Sequence, residues 1–111
     1  VRLSEIKGDR VFYVIADIID PIGEIACDKE AAALFKPKKL PKGMEPWQFF
    51  VERLRKSLPT LIRDHKDAFV KILASVNDVT PEEYVSELTL AKLISDVTEL
   101  FTDKEFASFF G

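Results

Sequence analysis

Thr80-Pro81-Glu82-Glu83 opens the stretch whose reading decides the fold. A threonine oxygen accepts from the free N–H groups of a first helical turn. Proline suits the first helical position, whose N–H has no intrahelical partner, and a glutamate three residues on reaches back. Tyr84, Val85 and Leu88 follow on a short helix. Leu90, Leu93, Ile94, Val97, Leu100 and Phe101 then recur at three- and four-residue intervals, the signature of one helical face. Thr102-Asp103-Lys104-Glu105 repeats the start signal, with Thr102 as the expected cap of a last short helix carrying Phe106, Phe109 and Phe110. Asn77-Asp78-Val79, just upstream, reads as a turn.

Working back toward the N-terminus, Phe69, Ile72, Leu73 and Val76 stripe another helix, reached through the polar joint Asp64-His65-Lys66-Asp67. Before it, Pro46 sits as the first residue of a helix whose buried face is Trp47, Phe50, Val51, Leu54 and Leu58. Pro59 should break or kink that helix, with Leu61 and Ile62 continuing its stripe. Lys36-Pro37-Lys38-Lys39-Leu40-Pro41-Lys42-Gly43 is a loop, since two prolines and a glycine in eight residues exclude regular structure. Asp28 caps a helix over Lys29 to Phe35. Asp9 caps one that runs from Arg10 until Pro21 ends or kinks it, followed by a short piece to Cys27. In this first helix Phe12, Ile15, Ala16 and Ile19 form one apolar set and Val11, Val14, Ile15 and Ile18 a second, so burial on both faces is expected. Its β-branched residues would also suit a strand, and it is the one segment able to overturn an all-α reading. The sum is a single all-α domain over residues 1–111, with six to eight short helices and no internal repeat.

Composition narrows the function classes. The chain has 111 residues, 47 % hydrophobic and 32 % charged, with 4 Gly and 6 Pro, the profile of a globular domain with its own core. One cysteine, Cys27, excludes an internal disulfide and a cysteine-based zinc site; one histidine, His65, excludes a multi-histidine metal site. No apolar run approaches the ~18–20 residues of a membrane span, and the opening residues lack a signal-peptide core. A free cysteine without a secretion signal implies a reducing, cytosolic compartment. The apolar end Phe109-Phe110-Gly111 and a start at Val1 suggest a native chain that extends further. These features lower the odds of an enzyme and favour a binding or assembly protein with no cofactor.

Charge is bipolar. Residues 1–28 hold 3 basic and 6 acidic side chains, residues 29–71 hold 11 and 5, and residues 72–111 hold 2 and 8, for a net −3 overall. Opposite faces either neutralise one another or lie solvated within one molecule, or they drive head-to-tail association of copies. Lys36, Lys38, Lys39 and Lys42 could touch phosphates, which makes a nucleic-acid adaptor the alternative reading. That loop lacks arginine and an interleaved aromatic to stack a base, so the signal is weak.

The candidate chemistry is thin. His65, between Asp64 and Lys66, reads as a solvated histidine at a helix joint rather than an acid–base catalyst. Cys27, beside Ile25 and Ala26, reads as a buried packing residue rather than an activated thiolate. Asp17, Asp20 and Glu24 share a helix face only if the helix survives Pro21, and then read as a solvated acidic face. Trp47 and Phe50 are expected in the core, which turns Phe49 outward as a contact residue. Phe106, Phe109 and Phe110 share one face: either they fold onto the core or they form a contact surface for a partner or a neighbouring copy.

The ordered series of segments resembles tail assembly chaperones of long-tailed, non-contractile phages (siphophages) of Gram-positive bacteria. The resemblance is carried by Arg2-Leu3-Ser4-Glu5-Ile6-Lys7-Gly8-Asp9-Arg10, Val14-Ile15-Ala16-Asp17-Ile18-Ile19-Asp20-Pro21-Ile22, Ala33-Leu34-Phe35-Lys36, Leu40-Pro41-Lys42-Gly43-Met44 and Gln48-Phe49-Phe50. It continues through His65-Lys66-Asp67, Ile72-Leu73, Thr80-Pro81-Glu82-Glu83-Tyr84, Leu90-Ala91-Lys92-Leu93 and Glu99-Leu100-Phe101-Thr102-Asp103-Lys104-Glu105-Phe106, nearly the whole chain. These are packing and capping residues, none a catalytic signature. The resemblance implies a small helical protein that coats the long, apolar, helical tape measure protein in the host cytoplasm and is absent from the mature virion. It implies no catalytic residues and no cofactor. Family members often carry a polar extension after the position of Phe110. A client with exposed apolar stripes is an aggregation hazard, and many weak contacts from neighbouring copies can shield it.

Overall fold

The computed structural model describes residues 3–34 and 39–109. A 3₁₀ turn at Leu3–Glu5 precedes seven α-helices among the described residues: α1 Arg10–Ala26, α2 Lys29–Leu34, α3 Pro46–Asp64, α4 Lys66–Val76, α5 Pro81–Glu87, α6 Leu90–Phe101 and α7 Lys104–Ser108. The described residues contain no strand, so the β-branched run in α1 is helical, and the chain is all-α. No described helix is long and apolar enough to cross a membrane.

Neither interior proline ends its helix. Pro21 lies inside α1 and Pro59 inside α3. Proline removes one helical hydrogen bond at about 3 kcal/mol. In α1 the buried stripe Val14, Ile18, Ile22 and Ile25 stays in register across Pro21, itself buried. Each such side chain contributes roughly 1.5–3 kcal/mol when fully covered, so continuing the helix outweighs breaking it. In α3 Pro59 is exposed, and the carbonyl it frees four residues earlier faces water. Since α1 survives, Asp17, Asp20 and Glu24 do share a side of it.

Capping follows the sequence at Thr80 and Asp28 and departs from it at Asp9, at Thr102, and at Glu83, whose carboxylate accepts from the Thr80 hydroxyl instead of from the Thr80 N–H. The Thr80 side chain accepts from Glu83 N–H at 3.1 Å and the Thr89 side chain from Lys92 N–H at 3.2 Å. Asp28 Oδ1 accepts from Glu30 N–H at 2.8 Å, starting α2. Asp9, by contrast, makes no side-chain cap. The cap of α7 is Asp103, not Thr102: Asp103 Oδ1 accepts from Glu105 N–H at 2.9 Å, while the Thr102 hydroxyl donates back to the Thr98 carbonyl at 2.7 Å and closes α6. Asp78 closes α4 with a left-handed φ of 60°, letting Val79 N–H reach the Ala74 carbonyl at 3.0 Å.

The core has its longest seam between α1 and α4. Ala68, Phe69, Ile72, Leu73 and Val76 of α4 are all buried. Phe69, Phe101 and Phe106 form an aromatic column joining α4, α6 and α7, with centroids 6.0 Å and 5.2 Å apart. The Arg10 guanidinium donates to the Ser75 and Val76 carbonyls at 3.0 Å each, capping the C-terminal end of α4. Tyr84 donates its hydroxyl to Asp96 at 2.7 Å, tying α5 to α6; burial and the Asp96 charge push this phenol well above its ordinary range. The chain ends meet at Asp103, whose Oδ2 accepts from both the N–H and the hydroxyl of Ser4 at 3.0 Å.

Three burial expectations are corrected. Trp47 is not core: it stands 62 % exposed on the first turn of α3, its indole N–H donating to Glu45 at 2.7 Å. Phe49 is half-buried rather than turned outward, with the Arg53 guanidinium 5.4 Å over its ring, while Phe50 packs against the core as expected. Cys27 is exposed at the C-terminal end of α1 rather than packed.

Candidate functional site

The first helix was expected to be covered on two apolar faces; it is covered on one. Val14, Ile18, Pro21, Ile22 and Ile25 form the buried side. Phe12, Ile15 and Ile19 stay 76 %, 41 % and 47 % exposed. Ala16 is also exposed, and a methyl added at Gly23 would meet nothing within 4 Å. The spacing 12, 15, 16, 19, 23 runs straight along one side of a helix about 26 Å long. This is an open apolar ridge that adjoins the buried strip, Ile15 lying beside Ile22 around the helix.

The two flanks of the ridge differ. On one side lies a groove of about 290 Å³, apolar along Leu3, Ile6, Val11, Val14, Ile15 and Phe109 and polar where Ser4, Glu105 and Ser108 border it. It exists because the Ser4–Asp103 bonds bring the N-terminal turn and α7 together beside α1. On the other side stands the acidic row Asp17, Asp20 and Glu24, with Tyr13 among it at 72 % exposure. Asp17 accepts a hydrogen bond from Ser75 at 3.4 Å. A helix offering an apolar stripe to the ridge would seat its ridges in the groove and set basic residues toward that row.

The residues singled out from sequence do not assemble into one site. Phe106 is fully buried in the aromatic column, so it holds α7 in place and cannot face a partner. Phe109 is half-buried and lines the groove. Lys39 and Lys42 are exposed; Lys36, Lys38 and Phe110 lie outside the described residues. Leu90 and Ile94, in the N-terminal half of α6, stand 75 % and 52 % exposed although the helical stripe had suggested burial, and Val85 on α5 is 49 % exposed.

His65 also departs from expectation. It does sit at a joint, its N–H closing α3 on Leu61 and its carbonyl opening α4 for Phe69. Yet its ring is not solvated. Nδ1 lies 2.7 Å from Glu24 Oε2 and Nε2 2.6 Å from Asp28 Oδ2. Among the described residues no group of histidine, cysteine and carboxylate side chains could hold a metal ion. No protein-family model, characterised protein or solved structure matches the chain.

Proposed function

We propose that this protein is a siphophage-type tail assembly chaperone that self-associates and coats the apolar, helical tape measure protein until the tail tube forms. The observation that carries the reading is the uncovered α1 ridge of Phe12, Ile15, Ala16 and Ile19 with its apolar groove. A contiguous apolar face with polar borders on a small domain marks an interaction surface, and a helical client matches its shape. The role is one of binding in the host cytoplasm, without catalysis or cofactor, and the protein is left out of the finished virion.

Magnitudes fit a sheath rather than a tight clamp. Covering the exposed parts of Phe12, Ile15 and Ile19 supplies about 4 kcal/mol at ordinary transfer values before the cost of association, so a single contact binds no tighter than ~1 mM. Single contacts of that strength let tube subunits displace the chaperone, while adjacent copies on one client reinforce each other. The charge layout supports head-to-tail packing: residues 29–64 carry nine lysines and arginines against four acids, and the remainder is strongly acidic.

The test is co-expression with a long apolar helical tape measure segment. Phe12→Asp with Ile19→Asp is expected to leave the helical signal and melting temperature intact and to abolish solubilisation of the client. A client kept equally soluble by this variant would refute the role of the ridge.

A further inference from the structure

The helices α2 and α3 form a hairpin arm that leads from the rest of the fold through two chain joints and packs on α1 and α4, with Ala31, Leu34, Leu54 and Leu61 in the common core. One is Cys27-Asp28, between α1 and α2; the other is His65, between α3 and α4. The arm has its own internal ties. Arg53 donates to the Ala33 carbonyl near the end of α2, and α2 and α3 pack on each other. The body has separate ones: the Arg10 cap on α4, the aromatic column and the Ser4–Asp103 bonds. The imidazole of His65 reaches across to Asp28 in the opposite joint and to Glu24 on α1. One side chain thus bridges both joints, in addition to the apolar packing that the arm shares with the body.

We propose that His65 is a proton-dependent latch: its imidazolium, held between Glu24 and Asp28, fastens the basic α2–α3 arm to the acidic body, and the arm loosens when that proton leaves.

The geometry requires the charged ring. A neutral imidazole has one N–H, so its other nitrogen would turn a lone pair toward a carboxylate at hydrogen-bond distance; only the imidazolium donates at both. The two oxygens of Asp28 divide the work, Oδ1 capping α2 and Oδ2 receiving His65. The ring and Asp28 are mostly covered, with side-chain exposures of 13 % and 20 %, while Glu24 is open at 55 %. Asp28 is accordingly the stronger partner. Its hydrogen bond, ahead of the one to Glu24, lifts the His65 pKa above 6.5 against the opposing effect of burial. The same hydrogen bond lowers Asp28 below 3.8. The other charged groups near the joints are Asp64 and Arg63 at the end of α3, Lys66 and Asp67 at the start of α4, and Lys29 at the start of α2, all exposed.

The sign follows. A raised histidine pKa contributes stability that is complete below 6.5 and is lost as pH rises through the folded value. The lowered Asp28 pKa contributes stability that is complete above 3.8 and is lost as pH falls through its folded value. The latch is fully fastened between those limits and opens on the alkaline side.

His65 is the only histidine, so its ring proton resonance in the full chain reads the latch directly. It is expected to titrate above 6.5, and to move down in Glu24→Gln and further in Asp28→Asn, which keeps an oxygen to cap α2. Amide exchange of α2 and α3, corrected for its intrinsic pH dependence, is expected to rise through the same pH range. The rise should be tenfold for each unit by which the measured His65 pKa exceeds the free value, with α4 and α6 unchanged. His65→Arg, charged throughout, should hold the arm closed to pH 9. Three outcomes overturn the proposal: a histidine titrating at or below 6.5, arm amides indifferent to pH, or α4 and α6 accelerating as much as the arm. A pH response in His65→Arg equal to the parent's would place the titrating group elsewhere and overturn it as well.

Discussion

Replacing Asp103 with alanine removes a junction between residues 99 positions apart in the chain. Asp103 is 1 % exposed and is the one charged side chain buried among the described residues. It caps α7 through Glu105 N–H and accepts two bonds from Ser4. Loss of an aspartate cap costs about 1 kcal/mol. The Ser4 hydroxyl sits on an exposed residue and regains water, so the two bonds to the carboxylate contribute near the low end of their range, about 1 kcal/mol each. The expected destabilisation is then about 3 kcal/mol, a large share of the 5–15 kcal/mol of an ordinary domain. With an unfolding entropy of about 2.1 cal/mol/K per residue, the melting temperature should fall by roughly 13 °C.

Urea titration and calorimetry of Asp103→Ala, Ser4→Ala and the double variant measure this. Asp103→Asn keeps the capping oxygen but puts an NH2 where Oδ2 accepts from Ser4, and should lose about 2 kcal/mol. Ser4→Ala deletes only the hydroxyl bond, and the cycle should return a coupling energy of about 1 kcal/mol. An Asp103→Ala loss below about 1 kcal/mol, or strictly additive single variants, would refute the claim that this carboxylate closes the chain ends.

Phe106→Ala should cost about 3–5 kcal/mol, because the ring is fully buried against Phe101; calorimetry checks it, and a stable variant with impaired self-association would contradict the packing role. Self-association, if head-to-tail between the basic arm and the acidic body, should weaken steadily between 50 mM and 500 mM salt in light scattering, as screening shortens to within a few ångströms. An oligomer indifferent to salt would assign the contact to the α1 ridge or the Leu90–Ile94 patch instead.

What the sequence disclosed depended on how local the cause was. The starts of α5 and α3 were legible because a cap, a proline and a neighbouring partner lie within four residues. The start of α7 was misplaced by one residue: Thr102 and Asp103 are both capping types, and only the tertiary bond from Ser4 fixes Asp103 inward. The prolines misled because the penalty of a broken hydrogen bond is local, while the burial that offsets it around Pro21 comes from α4, far along the chain. His65 was legible as a joint but not as a bridge, since Glu24 and Asp28 lie 41 and 37 positions away. Trp47 was assigned to the core by its type and spacing; its place on a first turn, beyond the reach of the body, could not be read from either.

The ridge on α1 shows most clearly how far the apolar pattern carries. Periodicity identified two apolar faces but could not say that only one would find a neighbour. Hydrophobic surplus of this kind is costly to keep in water, and a helix committed to the core by Ile18, Ile22 and Ile25 cannot rotate to hide Phe12 and Ile19. The ridge is therefore preformed, and a client should meet it without coupled folding of α1. Binding to the native state alone stabilises by RT ln(1 + [L]/Kd), about 0.4 kcal/mol when a single peptide is present at its Kd. At an affinity no tighter than ~1 mM for one contact, a short single-stripe peptide present at about 1 mM should raise the melting temperature by at most about 2 °C. A peptide carrying several stripes in tandem, by contrast, should bind several copies together and raise the melting temperature well beyond that. A large shift with a single-stripe peptide would point to a deeper, more specific pocket than this ridge and would count against a sheath of individually weak contacts.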